Sequence, residues 1–440
     1  MAAPTTDEDY DPFAHREVAK ALSNFQFFVH LMKGAVGTGV LAMPECFKDT
    51  GLFAGTFILS FAGLIIIHCM LLIVQIQNDR ARMLKVPLVT YGQAMKFALE
   101  DGPGFLRPLA PVSLFIIDVY LSAYHLGTCI VYAVFVAKNV KQIFDEYVIH
   151  LDERIWMLII MPFEMLLNCI RDLKILAPVS TLANIIMFTG IGIIMYYVFL
   201  DLPGLDDRKL MTSPLNWPKL FGTATFSLSP VALALTLESQ MKHPKNYGGW
   251  CGVLNLSMIA VTLLNIFVAF FGYLKYGEET LASLSLNIPQ DSIVAHIVRG
   301  LYSAVIFMTY AVQFYVPYDI IWHRYSEPKV TRCTLLIDYI VKMSMVVVTF
   351  ALAIGIPLLG LFLSLVGALR GLMSIVFPAI MSICHYYPDR YGPMKIYLWK
   401  DIAVLIIGLV FLICGTVSCI VNIYFGLQKY HADKAAGKLD

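Results

Sequence analysis

Residues 25–45 read FQFFVHLMKGAVGTGVLAMPE. The stretch is apolar enough and long enough to cross a bilayer, for which a helix needs roughly 20 mostly apolar residues. Its middle, however, carries His30, Lys33, Gly34, Gly37, Thr38 and Gly39. A glycine inside a helix costs about 1 kcal/mol relative to alanine. Three of them lie between positions 34 and 39, so the helix is expected to unwind there. In lipid an unwound backbone survives only where it is buried in protein or lines a cavity. Discontinuous helices of this kind build the mid-membrane sites of secondary transporters. For the glycines alone, close helix packing through small residues is the better account. His30 and Lys33 weigh toward a functional break, because ionisable groups at membrane depth are expensive.

The rest of the chain fits a polytopic membrane protein. Only 14% of its 440 residues are charged, 58% are hydrophobic and the mean hydropathy is +0.72, against about 25% charged residues in soluble domains. The net charge of +1 points to no nucleic-acid partner. Eleven apolar segments lie near 25–45, 51–77, 110–137, 154–170, 175–200, 218–240, 250–274, 293–317, 332–354, 358–385 and 396–426. Residues 90–100, TYGQAMKFALE, read as a short amphipathic helix in the interface. With the N-terminus in the cytosol, roughly 16 basic residues fall inside and roughly 9 outside. The polar residues 1–24 lack the apolar core of a signal peptide, and the first spanning helix is expected to do the targeting. Residues 427–440 form a polar tail. The nine cysteines lie mostly in apolar segments and do not decide the compartment. No His/Cys/Asp/Glu cluster has metal-ligand spacing, no loop carries a nucleophile beside a His/Asp pair, and no Gly-rich phosphate loop is present. Neither an enzyme nor an ATP-driven pump is expected, and no cofactor beyond protons.

The two halves repeat a pattern. Segment six, FGTATFSLSPVALALTLESQ, is interrupted by Ser229-Pro230, and proline removes a helical hydrogen bond and breaks or kinks the helix. The two breaks are five segments apart, as two five-helix repeats, 25–200 and 218–385, would place them, with 396–426 as an eleventh helix. An odd number of helices per repeat inverts the second relative to the first. Interrupted segments in matching positions are the best sequence pointer to a transport site.

Three stretches resemble the amino acid/auxin permease family, and within it the proton-coupled amino acid transporters. They are His30-Leu31-Met32-Lys33-Gly34 with Gly37-Thr38-Gly39, Phe221-Gly222-Thr223-Ala224 with Leu237-Glu238-Ser239-Gln240-Met241, and Ser364-Leu365-Val366-Gly367-Ala368 with Phe377-Pro378. The resemblance runs from about residue 24 over nearly the whole chain. It implies an all-α integral membrane protein of eleven spanning helices, in the inverted-repeat fold of the amino acid–polyamine–cation transporters. It also implies symport of small zwitterionic amino acids with protons, and His30 matches the family's proton-linked histidine. A histidine can load and unload a proton across physiological gradients, and packing alone is the other reading of His30. The N–H groups at Gly34, Gly37, Thr38 and Gly39 suit a substrate carboxylate. The break at Ser227, Leu228 and Ser229 suits its ammonium, and Tyr124, four residues from Tyr120, can cover it or merely pack.

Departures from the family are equally specific. Where the family reads Phe-Glu-Gly-Ile-Gly, this chain has Leu228-Ser229-Pro230-Val231-Ala232. Ser382 stands where the family has glutamate near the end of segment ten, and Arg370 stands where it has a small or neutral residue. Relative to that pattern the core loses two acids and gains a base. A buried arginine costs at least ~2.5 kcal/mol on insertion scales unless partnered, and Asp118 and Glu164 are its candidate partners. Arg370 either pins helices or sets the charge of the cavity. Tyr302, Ser303 and Tyr310 on segment eight can face the pathway. Two rival functions remain, an amino-acid sensor with little flux, motivated by the stiff Ser229-Pro230, and a facilitator without proton coupling. Plasma and lysosomal or endosomal membranes stay equally open.

Overall fold

The structure, a computed structural model, describes residues 10–16, 21–145, 150–169, 177–289, 293–326, 334–356 and 358–435. Every element longer than a turn is helical. The first apolar segment is two helices, α1 (Asn24–Ala35) and α2 (Thr38–Thr50), bent by 57°. Ser23 starts α1 through a reciprocal cap with Gln26, and Gly51, at φ +88°, turns the chain into α3 (Leu52–Leu84). The interfacial α4 (Tyr91–Asp101) follows, capped by the same Thr90–Gln93 device. Next come α5 (Ala110–Phe144), α6 (Glu153–Asn168) and α7 (Ala177–Phe199). The sixth segment is again two helices, α8 (Pro218–Leu228) and α9 (Val231–Ser239). It is followed by α10 (Val253–Tyr276), α11 (Ile293–Asp319) and α12 (Thr334–Gly355). The tenth segment is α13 (Leu359–Gly371) and α14 (Phe377–His385), joined by five residues of wider π-helix, Leu372–Val376. The chain closes with α15 (Ile396–Ala435).

Among the described residues, eight helical stretches are long and apolar enough to cross a membrane, α8 with α9 and α13 with α14 each counting as one, and nine when α1 and α2 are also joined. The expected fourth span falls short because α6 has only 16 residues, fewer than the roughly 20 a spanning helix needs. Helices α3 and α5 run about two turns past their expected ends, where their polar residues can reach water.

Helix neighbours recur in pairs. Segment one packs on seven (α2 on α10), and six on two (α8 on α3). Segment three packs on nine and ten (α5 on α12 and α13), and eight on four and five (α11 on α6 and α7). Segments one and six, two and seven, three and eight, and four and nine each pack on one another. Exposed apolar side chains such as Phe53, Phe57 and Leu64 on α3, or Ile406, Ile413 and Val417 on α15, form an outer surface suited to lipid.

Candidate substrate site

Two helix interruptions pack against each other. In the first, α1 stops at Ala35, Val36 and Gly37 are extended, and α2 begins at Thr38. No side chain caps α2, so its first N–H groups lack helical acceptors and the helix end carries a partial positive charge. A Cβ added to Gly37 would meet nothing within 4 Å, so open space adjoins those N–H groups. In the second, α8 stops at Leu228, Ser229 and Pro230 leave the helix, and α9 restarts at Val231. A Cβ on Gly39 would sit 2.8 Å from Ser227 Cβ and 3.0 Å from its Cα. Gly39 is therefore the residue that lets the two breaks touch.

The polar groups at this contact are unequally used. Ser227 donates to Asn265 of α10 at 2.7 Å. Thr38 Oγ1 and Ser229 Oγ are buried with no hydrogen-bond partner among the described residues. Native proteins rarely leave buried hydroxyls unpaired, so two of them at facing breaks read as ligand donors and acceptors. Leu228 contributes backbone here, its side chain being fully buried in the core. Sequence reasoning missed Asn265. Its signal was an asparagine in the apolar middle of segment seven.

Arg370 reaches the same place from α13. Its guanidinium donates to the Phe226 carbonyl at 2.6 Å and lies 5.1 Å from the ring centre of Tyr124 and 5.2 Å from that of Phe226. Its Nε is buried and unpaired. Neither expected carboxylate partner is there. Asp118 is taken by Arg324 and by Tyr325, the latter at 2.7 Å, and Glu164 is buried with Oε2 unpaired. A helix-end carbonyl and two aromatic faces hold the cation instead. Tyr120 donates to Leu369 O at 2.5 Å, fixing the turn before Arg370. The loss of two acids is also offset in part, since Ser382 donates at 2.5 Å to a buried acid of α15, Asp401.

Other expected residues stand apart from the breaks. His30 is exposed on α1, with no hydrogen bond or ion pair among the described residues. Gly34, four residues on and on the same face, abuts Leu233 of α9, where a Cβ would overlap that side chain. Lys33 lies in the last turn of α1, where a cation suits the helix dipole. The segment-eight residues are inward-bonded. Tyr302 donates to Met187 O at 2.8 Å, Ser303 to Arg299 O at 2.8 Å, and Tyr310 pairs with Thr349 at 2.6 Å. His125 pairs with Gln313 at 2.7 Å.

The two broken segments are tied together at both ends. At one end, Lys219 of α8 lies 2.9 Å from Glu45 and 3.1 Å from Asp49 of α2. At the other, Leu22 exchanges backbone hydrogen bonds with Gln240 and Lys242. There Arg16 pairs with Glu238 at 3.0 Å and also reaches Asn78 Oδ1 and Pro87 O. Among the described residues, no three His, Cys, Asp or Glu side chains converge to hold a metal.

Comparison with known proteins agrees with this architecture. The family model for "Transmembrane amino acid transporter protein" matches residues 20–421. The chain is 32% identical to the proton-coupled amino acid transporter-like protein pathetic of Drosophila melanogaster, over 94% of this chain and 88% of that one. It is 26% identical to the amino acid transporter ANT1 of Arabidopsis thaliana, over 91% and 93%. Its fold is similar to a solved inward-facing conformation of Mhp1, with a TM-score of 0.51 and 13% identity over 95% of this chain and 92% of that one. The chain belongs to the transmembrane amino acid transporter family, and it is a multi-pass membrane transporter rather than an enzyme.

Proposed function

We propose that this protein carries small neutral amino acids across a membrane by alternating access, in symport with protons, with substrate held where the two helix breaks face each other. The observation that carries the site is the contact of Gly39 with Ser227 beside two buried, unpaired hydroxyls. In this reading the N–H groups of Thr38 and Gly39 and the Thr38 hydroxyl take the carboxylate. Carbonyls at the end of α8 and the Ser229 hydroxyl take the ammonium, and Tyr124 covers the substrate. His30 loads the proton from the open side of α1. Eleven spanning segments, the first ten in two inverted repeats, fit the recurrence of helix neighbours five segments on. A cytoplasmic N-terminus follows from the basic loops.

The site reading gives a direct prediction. Thr38→Val replaces with a methyl, and Ser229→Ala deletes, a hydroxyl that bonds nothing among the described residues, so thermal stability is expected to stay within about 1 kcal/mol. Apparent substrate affinity is expected to fall by about 5- to 30-fold, one to two hydrogen bonds' worth. Melting curves and uptake kinetics in proteoliposomes separate the two effects. Unchanged uptake kinetics in both variants would remove the breaks from substrate binding.

Arg370 sets the charge of this cavity. Its guanidinium occupies the Phe226 carbonyl, one of the acceptors an ammonium would use. Arg370→Ser is expected to free that acceptor and to shift the ranking toward more cationic substrates, with about a tenfold change in the ratio of affinities for neutral and acidic amino acids. Competition against a labelled neutral amino acid checks this, and an unaltered ranking would reduce Arg370 to a helix pin.

A further inference from the structure

A second group of ionisable side chains lies outside the two breaks, where α3, α14 and α15 meet. It sits at the end of the molecule that carries the N-terminal segment, because Asn78, next to Asp79, is a partner of Arg16. Asp401 of α15 is fully buried. Its Oδ2 accepts Ser382 at 2.5 Å, and its Oδ1 lies 3.1 Å from Lys400 Nζ. Three residues along α14, and so on the same face, His385 is buried with Nε2 at 3.3 Å from Asp79 Oδ2. The Asp79 side chain is 32% exposed. From α3, His68 lies within electrostatic reach of Asp401 and Lys400. Cys69, Tyr386 and Tyr391 also lie within electrostatic reach of Asp401.

Two features set this group apart from a helix staple. First, His385 Nδ1 and His68 Nε2 are both buried without a hydrogen-bond partner. A staple needs no such atoms, and each one costs free energy. An imidazole with one nitrogen on a carboxylate and the other unengaged is equipped to take a proton on one side and give one on the other. Second, the groups descend from full burial at Asp401 to partial exposure at Asp79. Ionisable residues strung together at membrane depth mark proton relays.

We propose that Asp401, His385 and Asp79 form a proton relay opening on the face where Arg16 packs on α3. The inference rests on the proton-coupled reading above and adds a route distinct from His30. The His385 Nε2–H bond breaks as an O–H bond forms on Asp79, which releases that proton to water. Nδ1 takes the replacement proton from a protonated Asp401 carboxyl, whose O–H bond breaks as the Nδ1–H bond forms, leaving Asp401 as the carboxylate. Ser382 positions the Asp401 carboxyl through its 2.5 Å bond, and Lys400 lies 3.1 Å from the other oxygen.

The test uses the full-length protein in proteoliposomes with a panel of labelled neutral amino acids, alanine and glycine among them. Two quantities are read for wild type, Asp401→Asn and His385→Gln: accumulation driven by an inward proton gradient, and counterflow at equal pH. The relay predicts that gradient-driven accumulation falls by about tenfold or more, as for loss of a positioned acid–base group, while counterflow stays within about twofold. Equal losses of both, or no loss of either, would overturn it. If Asp401→Asn does not fold, His385→Gln and Asp79→Asn, closer to water, carry the same comparison. Wild-type counterflow without any response to the gradient would overturn proton coupling itself and the relay with it. Gradient-driven wild-type uptake with unaffected variants would overturn the relay alone.

Discussion

Replacing Gly222 with valine is expected to prevent stable folding. A Cβ at this position would overlap the Ser364 carbonyl, and one on Gly367 would overlap the Gly222 carbonyl. Helices α8 and α13 therefore cross backbone to backbone, and Thr225 bonds the Gly367 carbonyl across the crossing at 2.6 Å. Overpacking normally costs 1–3 kcal/mol because side chains give way. Here the obstacle is a main-chain carbonyl on each helix, so the loss is expected to exceed about 3 kcal/mol. Detergent-solubilised Gly222→Val should elute as aggregate where wild type is monodisperse. Gly37→Ala is the control, since its Cβ meets nothing within 4 Å and its backbone is extended. It should melt within about 1 kcal/mol of wild type. A monodisperse Gly222→Val with a wild-type melting curve would mean that the helices do not cross this closely.

Lys219→Met is expected to cost about 3 kcal/mol and to be rescued by a compensating pair. Lys219 is largely buried between Glu45 and Asp49, with side-chain exposures of 11%, 17% and 30%. Removing the cation leaves two carboxylates facing each other in a poorly hydrated place. Breaking a buried ion pair from one side costs about 3–5 kcal/mol, and the partial exposure of Asp49 puts this case at the lower end. Adding Glu45→Gln and Asp49→Asn removes the stranded charges, so the triple variant should recover most of the loss. A triple variant no more stable than Lys219→Met would show that the cation's hydrogen bonds, not the charge balance, hold α2 to α8.

What was legible in the sequence is mostly what acts along one helix. Gly34, Gly37 and Gly39 and the pair Ser229-Pro230 act through backbone propensity, and both breaks fall where those residues stand. The capped start of α4 at Thr90 and its end near residue 100 follow from local chemistry in the same way. Contacts across helices were not legible, because spacing along one segment carries no information about its neighbour. Arg370 shows this most clearly. Opposite charge suggested Asp118 or Glu164, whereas the structure pairs Arg370 with the Phe226 carbonyl and two rings. Ser382 is similar, since its missing acid returns from α15 as Asp401, which no pattern in segment ten could reveal. The tyrosines of segment eight could face the pathway, which periodicity along one helix cannot decide, and in the structure they bond to Met187 O and Thr349.

Uptake of a panel of labelled amino acids into proteoliposomes, with and without an inward proton gradient and for wild type beside His30→Ala, tests the central claim most directly. Proton symport through the broken first segment predicts gradient-driven accumulation of small neutral amino acids that His30→Ala abolishes. Uptake that ignores both the gradient and the substitution would contradict it and leave a facilitator. Binding of an amino acid with no uptake by folded protein would contradict transport altogether and leave a sensor.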